Sequence, residues 1–362
     1  MSAIQNPIAA IEVLKERAMG FFSKQKIKPD ATQVVGVDVG RFHLLVAAVE
    51  KKQDKFEITH FRVEPRPANP EEVSERLKAI FKEEGLNQKS VRTALKSDGM
   101  VIRILNFPSM KKNEMASMLQ YEVEKYIPFR ASEVILDFQI LGESVEKGDV
   151  KTMEILLVVV KQSEVHQLLS FFQKADLGVE LIDVAAFAIS NLLELITPDP
   201  KRNPLAFLDM GLESSIFGIL AHGKPTFIRD ISFGGGDIIK FLSRKLGIDP
   251  DSVMLHQKNP ASVPGNYNEV VEQALTGLLS ELKLSLSYYL DHVKAAEPVK
   301  SLYIVGGGFR FLSDLGVIER EIRIPTQRPD IFSNISIHPN LDATLLKKNE
   351  DLIPSALGLC LR

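Results

Sequence analysis

Apolar runs separated by short polar turns set the pattern of this chain. Residues 33–39, 43–50 and 56–63 each read as a strand. The first two fall in VVGVDVGRFHLLVAAVE (34–50), a strand, a one-glycine corner and a second strand. Asp38 stands among valines just before Gly40, the only acid ahead of the closing glutamate. A hairpin alone accounts for Asp and Gly at a corner. A helix follows over 70–84, with Pro70, Glu71 and Glu72 suited to its first turn, and then a strand over 91–97.

The same pattern returns downstream. PLAFLDMGLESSIFGILAHGKPTFIRDISF (204–233) again reads strand, Asp-x-Gly corner, strand, turn, strand. Asp209 matches Asp38 and Gly211 matches Gly40, so the repeat spans nearly half of the chain. That spacing indicates a duplicated domain, because solenoid periods are far shorter. Material between the copies does not repeat: a strand at 100–110, a helix at 111–127, strands at 133–142 and 151–161, and a helix at 163–175 capped by Ser163. Residues 100–176 therefore read as an inserted α+β subdomain. Beyond the second copy come GGGDIIKFLSRKLG (234–247), a long helix over 268–293, the strand SLYIVGGG (301–308) and a closing helix in LIPSALGLCLR (352–362). Alternating strands and helices make the class α/β. The expected units are 1–32, 33–200 with the insert, and 201–362.

In the first unit, Ile8, Ile11, Leu14, Ala18 and Phe22 fall near one face at helical spacing, ahead of a polar linker at 24–33. Glu12, Lys15, Glu16 and Arg17 interrupt what a signal peptide would need. Docking on the body and contact with a partner or membrane surface both remain open for this helix.

Composition narrows the function classes. With 44 Lys+Arg against 47 Asp+Glu, the net charge of −3 gives no basis for binding nucleic acid or an anionic membrane. The single cysteine, Cys360, cannot form an internal disulfide, and a reduced, intracellular setting is expected. No Cys/His grouping has metal-site spacing, and no run reaches the ~18 apolar residues of a membrane span.

Two Asp-x-Gly corners, one per domain, suit a polyphosphate and its metal. Tight turns present backbone N–H groups to anionic oxygens, and two carboxylates can hold a hydrated Mg²⁺. VGGGF (305–309) adds a third corner, and SFGGGDII (232–239) has similar form. Neither a dinucleotide Gly-x-Gly-x-x-Gly nor a Walker sequence is present.

This layout resembles the actin-like ATPase superfamily, of ribonuclease H-like fold, in which two duplicated domains enclose a nucleotide cleft. More closely, residues 33–362 resemble the PilM family of type IV pilus assembly, itself akin to the division protein FtsA. The most distinctive stretch is FPSMKKNEMASMLQYEVEKYIPFRASEVILDFQILG (107–142); FIRDISFGGGDI and LYIVGGGFRFLSDL match as well. The resemblance implies ATP and Mg²⁺ in the cleft. Phosphate and nucleotide contacts would come from Asp38, Gly40, Arg41, Asp209, Gly211, Ser214, Ser215, Gly235, Gly236, Gly306, Gly307 and Gly308. Asp38 and Asp209 would hold the metal through water.

The chain also departs from that family. After Gly40 it has Arg41, Phe42 and His43 in place of small hydroxyl residues, and Leu45 in place of a lysine. Arg41 can itself make a bidentate phosphate contact. The acid and base of the family's Ala-Glu-x-x-Lys element fall on Val253 and His256 in SVMLH (252–256). Two polar contacts worth about 1–2 kcal/mol each are then lost. Weak ATP binding and little or no catalysis are expected.

The resemblance further implies a cytoplasmic scaffold, held at the inner membrane by its partner, that binds the N-terminal tail of a bitopic, PilN-like membrane protein. Phe107, Tyr121, Tyr126, Ile127, Pro128 and Phe129 of the insert are the candidate groove. Packing of Tyr-Ile-Pro-Phe against the sheet is the competing reading. An ATPase or phosphotransferase, and the cytoplasmic part of a type II secretion platform, are the alternatives; self-association stays open.

Overall fold

The computed structural model describes residues 33–361, apart from 54, 89, 97–98, 146–150, 198, 200–201, 259–265, 294–295 and 313. The amphipathic segment read at 1–32 lies outside the described residues. The strands are β1 (Gln33–Val39), β2 (His43–Lys52), β3 (Lys55–Pro65), β4 (Ser90–Leu95), β5 (Met100–Pro108), β6 (Val134–Val145), β7 (Lys151–Lys161), β8 (Gly178–Val184), β9 (Leu205–Met210), β10 (Ser215–Ala221), β11 (Lys224–Ile231), β12 (Ser301–Val305), β13 (Thr326–Gln327) and β14 (Ile335–Ile337). The helices are α1 (Pro70–Glu83), α2 (Lys112–Glu122), α3 (Gln162–Lys174), α4 (Ala185–Ile196), α5 (Gly235–Leu246), α6 (Pro250–Lys258), α7 (Tyr267–Ala274), α8 (Thr276–His292), α9 (Gly316–Ile322), α10 (Ala343–Lys348) and α11 (Pro354–Cys360).

Duplication is visible in the sheets. The first sheet runs β14-β3-β2-β1-β4-β8 and the second β11-β10-β9-β12-β13. In each, two antiparallel hairpins lead to a parallel neighbour: β4 beside β1, and β12 beside β9. The strand next to each Asp-Gly strand therefore ends at the same rim as the corner, where open α/β sheets place their ligand sites.

The insert forms the third sheet, β5-β7-β6. Its central strand β7 is buried on both faces, which is why Lys151–Lys161 reads as an almost unbroken apolar run. Met153, Ile155, Leu157 and Val159 face a separate small core with Met115 and Leu119 of α2. Leu156, Val158 and Val160 face the main core of the first lobe. That period of two divides one strand between two cores.

The structure corrects three local expectations. The C-terminal unit does not stay with the second sheet: β14 pairs with β3, and α11 packs on β1 and α4, so the chain returns to the first lobe. Local patterning cannot reveal such a return. Helix α3 begins at Gln162 with Lys161 as its N-cap, which puts Ser163 inside the helix. The long helix read over 268–293 divides at Leu275 into α7 and α8.

Candidate functional site

Both corners close in the same way. Gly40 N–H donates to the His43 carbonyl at 3.0 Å, and Gly211 N–H donates to the Ser214 carbonyl at 2.9 Å. Each Asp sits in its strand two positions earlier: Asp38 opposite Leu45, and Asp209 opposite Ile216. Both acids are buried, and both line one cavity with Gly40, Arg41, Gly211, Gly306 and Gly307. Two corners far apart in the chain thus meet at one cleft.

Other predicted residues lie behind the second corner. Ser214 lines a smaller adjoining pocket. The buried Ser215 hydroxyl donates to the Phe233 carbonyl at 2.6 Å. Gly235 and Gly236, at the start of α5, donate their N–H groups to the carbonyls of Gly211 and Leu212 at 2.9 and 2.7 Å. A Cβ on Gly308 would come within 2.4 Å of the Met210 side chain. These glycines brace the corner by letting helix and loop backbones approach it closely. Gly306, at φ +94°, has no room for a side chain: a Cβ there would lie 2.5 Å from Asp209 Oδ1. Its N–H donates to the Asp351 carbonyl at 2.7 Å.

Several residues unnoticed in the sequence complete the site. Lys96, at the C-terminal end of β4, places its Nζ 2.6 Å from Asp209 Oδ2. Burial opposes its charge, but Asp209 and Asp38 more than offset that and hold the ammonium above the ordinary lysine value. The Ser355 hydroxyl, at the start of α11, donates to Asp38 Oδ2. Arg41 meets Glu213 across the mouth at 3.1 Å with both side chains about half exposed, a geometry worth at most about 1 kcal/mol. Arg310 grips Asp351 with two donors, at 2.6 and 2.7 Å. Lys96 was findable: it ends the strand parallel to the Asp38 strand, at the rim where ligand sites gather.

These contacts bear on the expected ligand. The N–H groups of Gly40, Gly211, Gly235, Gly236 and Gly306 all donate within the protein, so none of the five is free for phosphate. The cavity measures about 100 Å³, well below the roughly 300 Å³ of small ligand pockets. Asp209 Oδ2 is engaged by Lys96 and Asp38 Oδ2 by Ser355, so in this arrangement the two carboxylates do not fit a hydrated Mg²⁺. Val253, aligned with the family's acid, is in the core of the second lobe and away from the cleft; the side chain of His256 lies outside the described residues.

In the insert, Phe107 and Ile127 belong to the small core. They support the surface from beneath and cannot themselves meet a partner. Tyr126 is half-buried, its ring edge-on to Phe107 at 5.7 Å. Phe129 is half-buried with Lys161 Nζ 4.7 Å from its ring centre. Pro128 is exposed, and Tyr121 is 85% exposed. The Tyr-Ile-Pro-Phe turn therefore packs inward through Ile127 and shows aromatic edges outward.

Two duplicated α/β lobes whose Asp-Gly corners meet across a cleft define the actin-like class. Within that class the chain belongs to the PilM family: the family model described as type IV pilus assembly protein PilM matches residues 36–362. Among solved structures, the chain resembles that of a PilM–PilN type IV pilus biogenesis complex at a TM-score of 0.80 and 22% identity, covering 91% of this chain and 98% of that one. It also resembles the ethanolamine utilization protein EutJ from Carboxydothermus hydrogenoformans at a TM-score of 0.52 and 12% identity, covering 91% and 89%.

Proposed function

We propose that this chain is a cytoplasmic scaffold of the type IV pilus assembly platform, binding the N-terminal tail of a bitopic, PilN-like inner-membrane protein. The observation that supports this reading best is the extent of the likeness to the PilM–PilN complex structure. It runs over 98% of that protein's chain at a TM-score of 0.80. Among the described residues no helix is long and apolar enough to cross a membrane, which accords with a protein brought to the membrane by its partner.

The chemistry suits an extended peptide. β5 and β6 are the edges of the inserted sheet, and an edge strand can accept a further strand through main-chain hydrogen bonds. Tyr126, against Phe107 of β5, and Phe129, against Lys161 of β7, offer half-buried aromatic faces. Rigid aromatics held in this way give binding area with little loss of side-chain freedom. Scaffold binding needs no bond-making step, and none is assigned to the cleft.

A fluorescein-labelled peptide of the cognate tail, titrated with the purified chain, tests the proposal. Saturable binding that weakens about thirtyfold in Phe129→Ala or Tyr126→Ala, with the fold intact, is the expected result. Binding unchanged in both variants removes this groove, and no binding at all removes the partner reading.

A further inference from the structure

Both carboxylates that the fold would use for a hydrated divalent cation are provided for from inside the chain. Asp209 meets Lys96 Nζ, and Asp38 accepts the Ser355 hydroxyl. We propose that Lys96 is a built-in replacement for that cation: its ammonium joins the corner of one lobe to that of the other and holds the cleft closed without metal or nucleotide.

Three observations carry this. The first is place. Lys96 follows β4 and Gly306 follows β12, each just beyond the strand that runs parallel to its lobe's Asp-Gly strand. Both come to rest on the same carboxylate, Lys96 at Oδ2 and Gly306 against Oδ1. Asp209 is thereby enclosed from two sides, one by a positive charge from the opposite lobe and one by backbone of its own. The second is charge. Mg²⁺ keeps several waters and is held by few protein oxygens, so it needs both hydration space and unpaired carboxylates. Here the ammonium engages one oxygen of Asp209 and the hydroxyl one oxygen of Asp38, and the lysine stem lines the same cavity. The third is the surrounding backbone, where the N–H groups of Gly40, Gly211 and Gly306 already donate within the protein. The rival arrangement has Lys96 swing away as a metal-nucleotide complex enters, and it is an outcome of the test below. The inference rests on the actin-like reading of the cleft and not on the partner, so manganese binding and peptide binding fail independently.

The test uses the full chain stripped of metal. Mn²⁺ binding is followed by electron paramagnetic resonance, and melting temperature is read with Mg²⁺, with Mg²⁺ plus ATP, and with EDTA. The wild type is expected to take up no stoichiometric Mn²⁺ and to melt alike in all three. Lys96→Met leaves two buried carboxylates uncompensated; it should melt lower and gain one Mn²⁺ site. Mg²⁺ at about 100 times its dissociation constant should then recover about 4 °C. Adding Asp209→Asn should restore stability and abolish the gained site. If Lys96→Met does not fold, folding of the double variant supports the proposal, and failure of both overturns it. One Mn²⁺ per wild-type chain, lost in Asp209→Asn, also overturns it. So does a wild-type melting temperature raised by Mg²⁺ plus ATP and returned by EDTA, or a Lys96→Met chain that melts like the wild type.

Discussion

Gly358→Ala joins helix packing to the cleft and allows a magnitude to be worked. Every residue of α11 from Pro354 to Cys360 is buried. A Cβ at 358 would lie 1.8 Å from the Ala188 carbonyl oxygen of α4, where real contacts keep at least 3.0 Å. The helices would have to part by most of the difference between those two distances. Helix α11 is pressed against β1 as well, since a Cβ on Gly36 would lie 2.2 Å from the Ala356 carbonyl oxygen. Overpacking of this kind costs about 1–3 kcal/mol, and displacing Ser355 from Asp38 adds about 1.5 kcal/mol for a lost bond to a charged acceptor. Better helix propensity returns about 1 kcal/mol, leaving a net loss of about 3 kcal/mol. With an unfolding entropy of about 0.7 kcal/mol per kelvin for a chain of this size, the melting temperature should fall by about 4 °C. Differential scanning calorimetry reads this directly. Gly277→Ala is the control: that position is exposed at the start of α8 with nothing within 4 Å of the new methyl, and it should be neutral or slightly stabilising. A Gly358→Ala chain that melts at or above the wild type would show that the helices part freely and would refute the argument.

Phe107→Ala, a core truncation, should cost about 3–5 kcal/mol of stability, whereas Tyr121→Ala should leave stability within about 0.5 kcal/mol because that ring is exposed. Urea melts of the two variants separate support from surface. The Glu64 carboxyl is held below its ordinary value, chiefly by the hydrogen bond from Arg76 and then by Arg62. A depressed carboxyl stabilises the fold above its unfolded value near 4.5, and that contribution is lost as pH falls through the folded value. Glu64→Gln should therefore weaken the chain at pH 7 and flatten its acid melt below about pH 4.5; an unchanged acid profile would count against the network. Calorimetry with Mg-ATP should find affinity no tighter than the millimolar range, about −4 kcal/mol, and turnover near about 10 per second would contradict the cleft geometry.

The legible parts of the sequence were those written in local pattern. Strand, Asp-x-Gly and strand lie within one short stretch at 34–50, and their repetition at 204–233 revealed the duplication without any three-dimensional information. The inserted sheet was legible for the same reason, since β7 is a continuous apolar run. Illegible were the pairings between distant segments. Lys96 and Asp209 are separated by the entire insert, and in ALKSDG the lysine looks like any polar turn residue. Ser355 lies 317 residues from Asp38. The glycine runs are legible only in part. Their composition signals exposed amides, but whether an N–H is available depends on which carbonyl the fold brings against it. The carbonyls of Gly211, Leu212 and Asp351 take up Gly235, Gly236 and Gly306.

The polar contacts across the cleft are unequal. Arg41–Glu213 is half exposed and screened by solvent, so it contributes little. Arg310–Asp351 is bidentate, with Asp351 only 11% exposed, a geometry in which planar donors hold a carboxylate more firmly. Lys96–Asp209 sets an ammonium against a carboxylate that is 3% exposed. Removing Lys96 there strands a buried carboxylate, a loss larger than the net worth of the pair itself. These two internal ion pairs add to apolar packing that also crosses between the lobes, since Phe207, Ile216 and Val305 of the second sheet share the core of the first. The insert is tied to both sides as well: its sheet shares the core of the first lobe, while Lys224 of the second lobe donates to its Leu141 carbonyl at 3.4 Å. An insert tied in this way takes its position from both lobes.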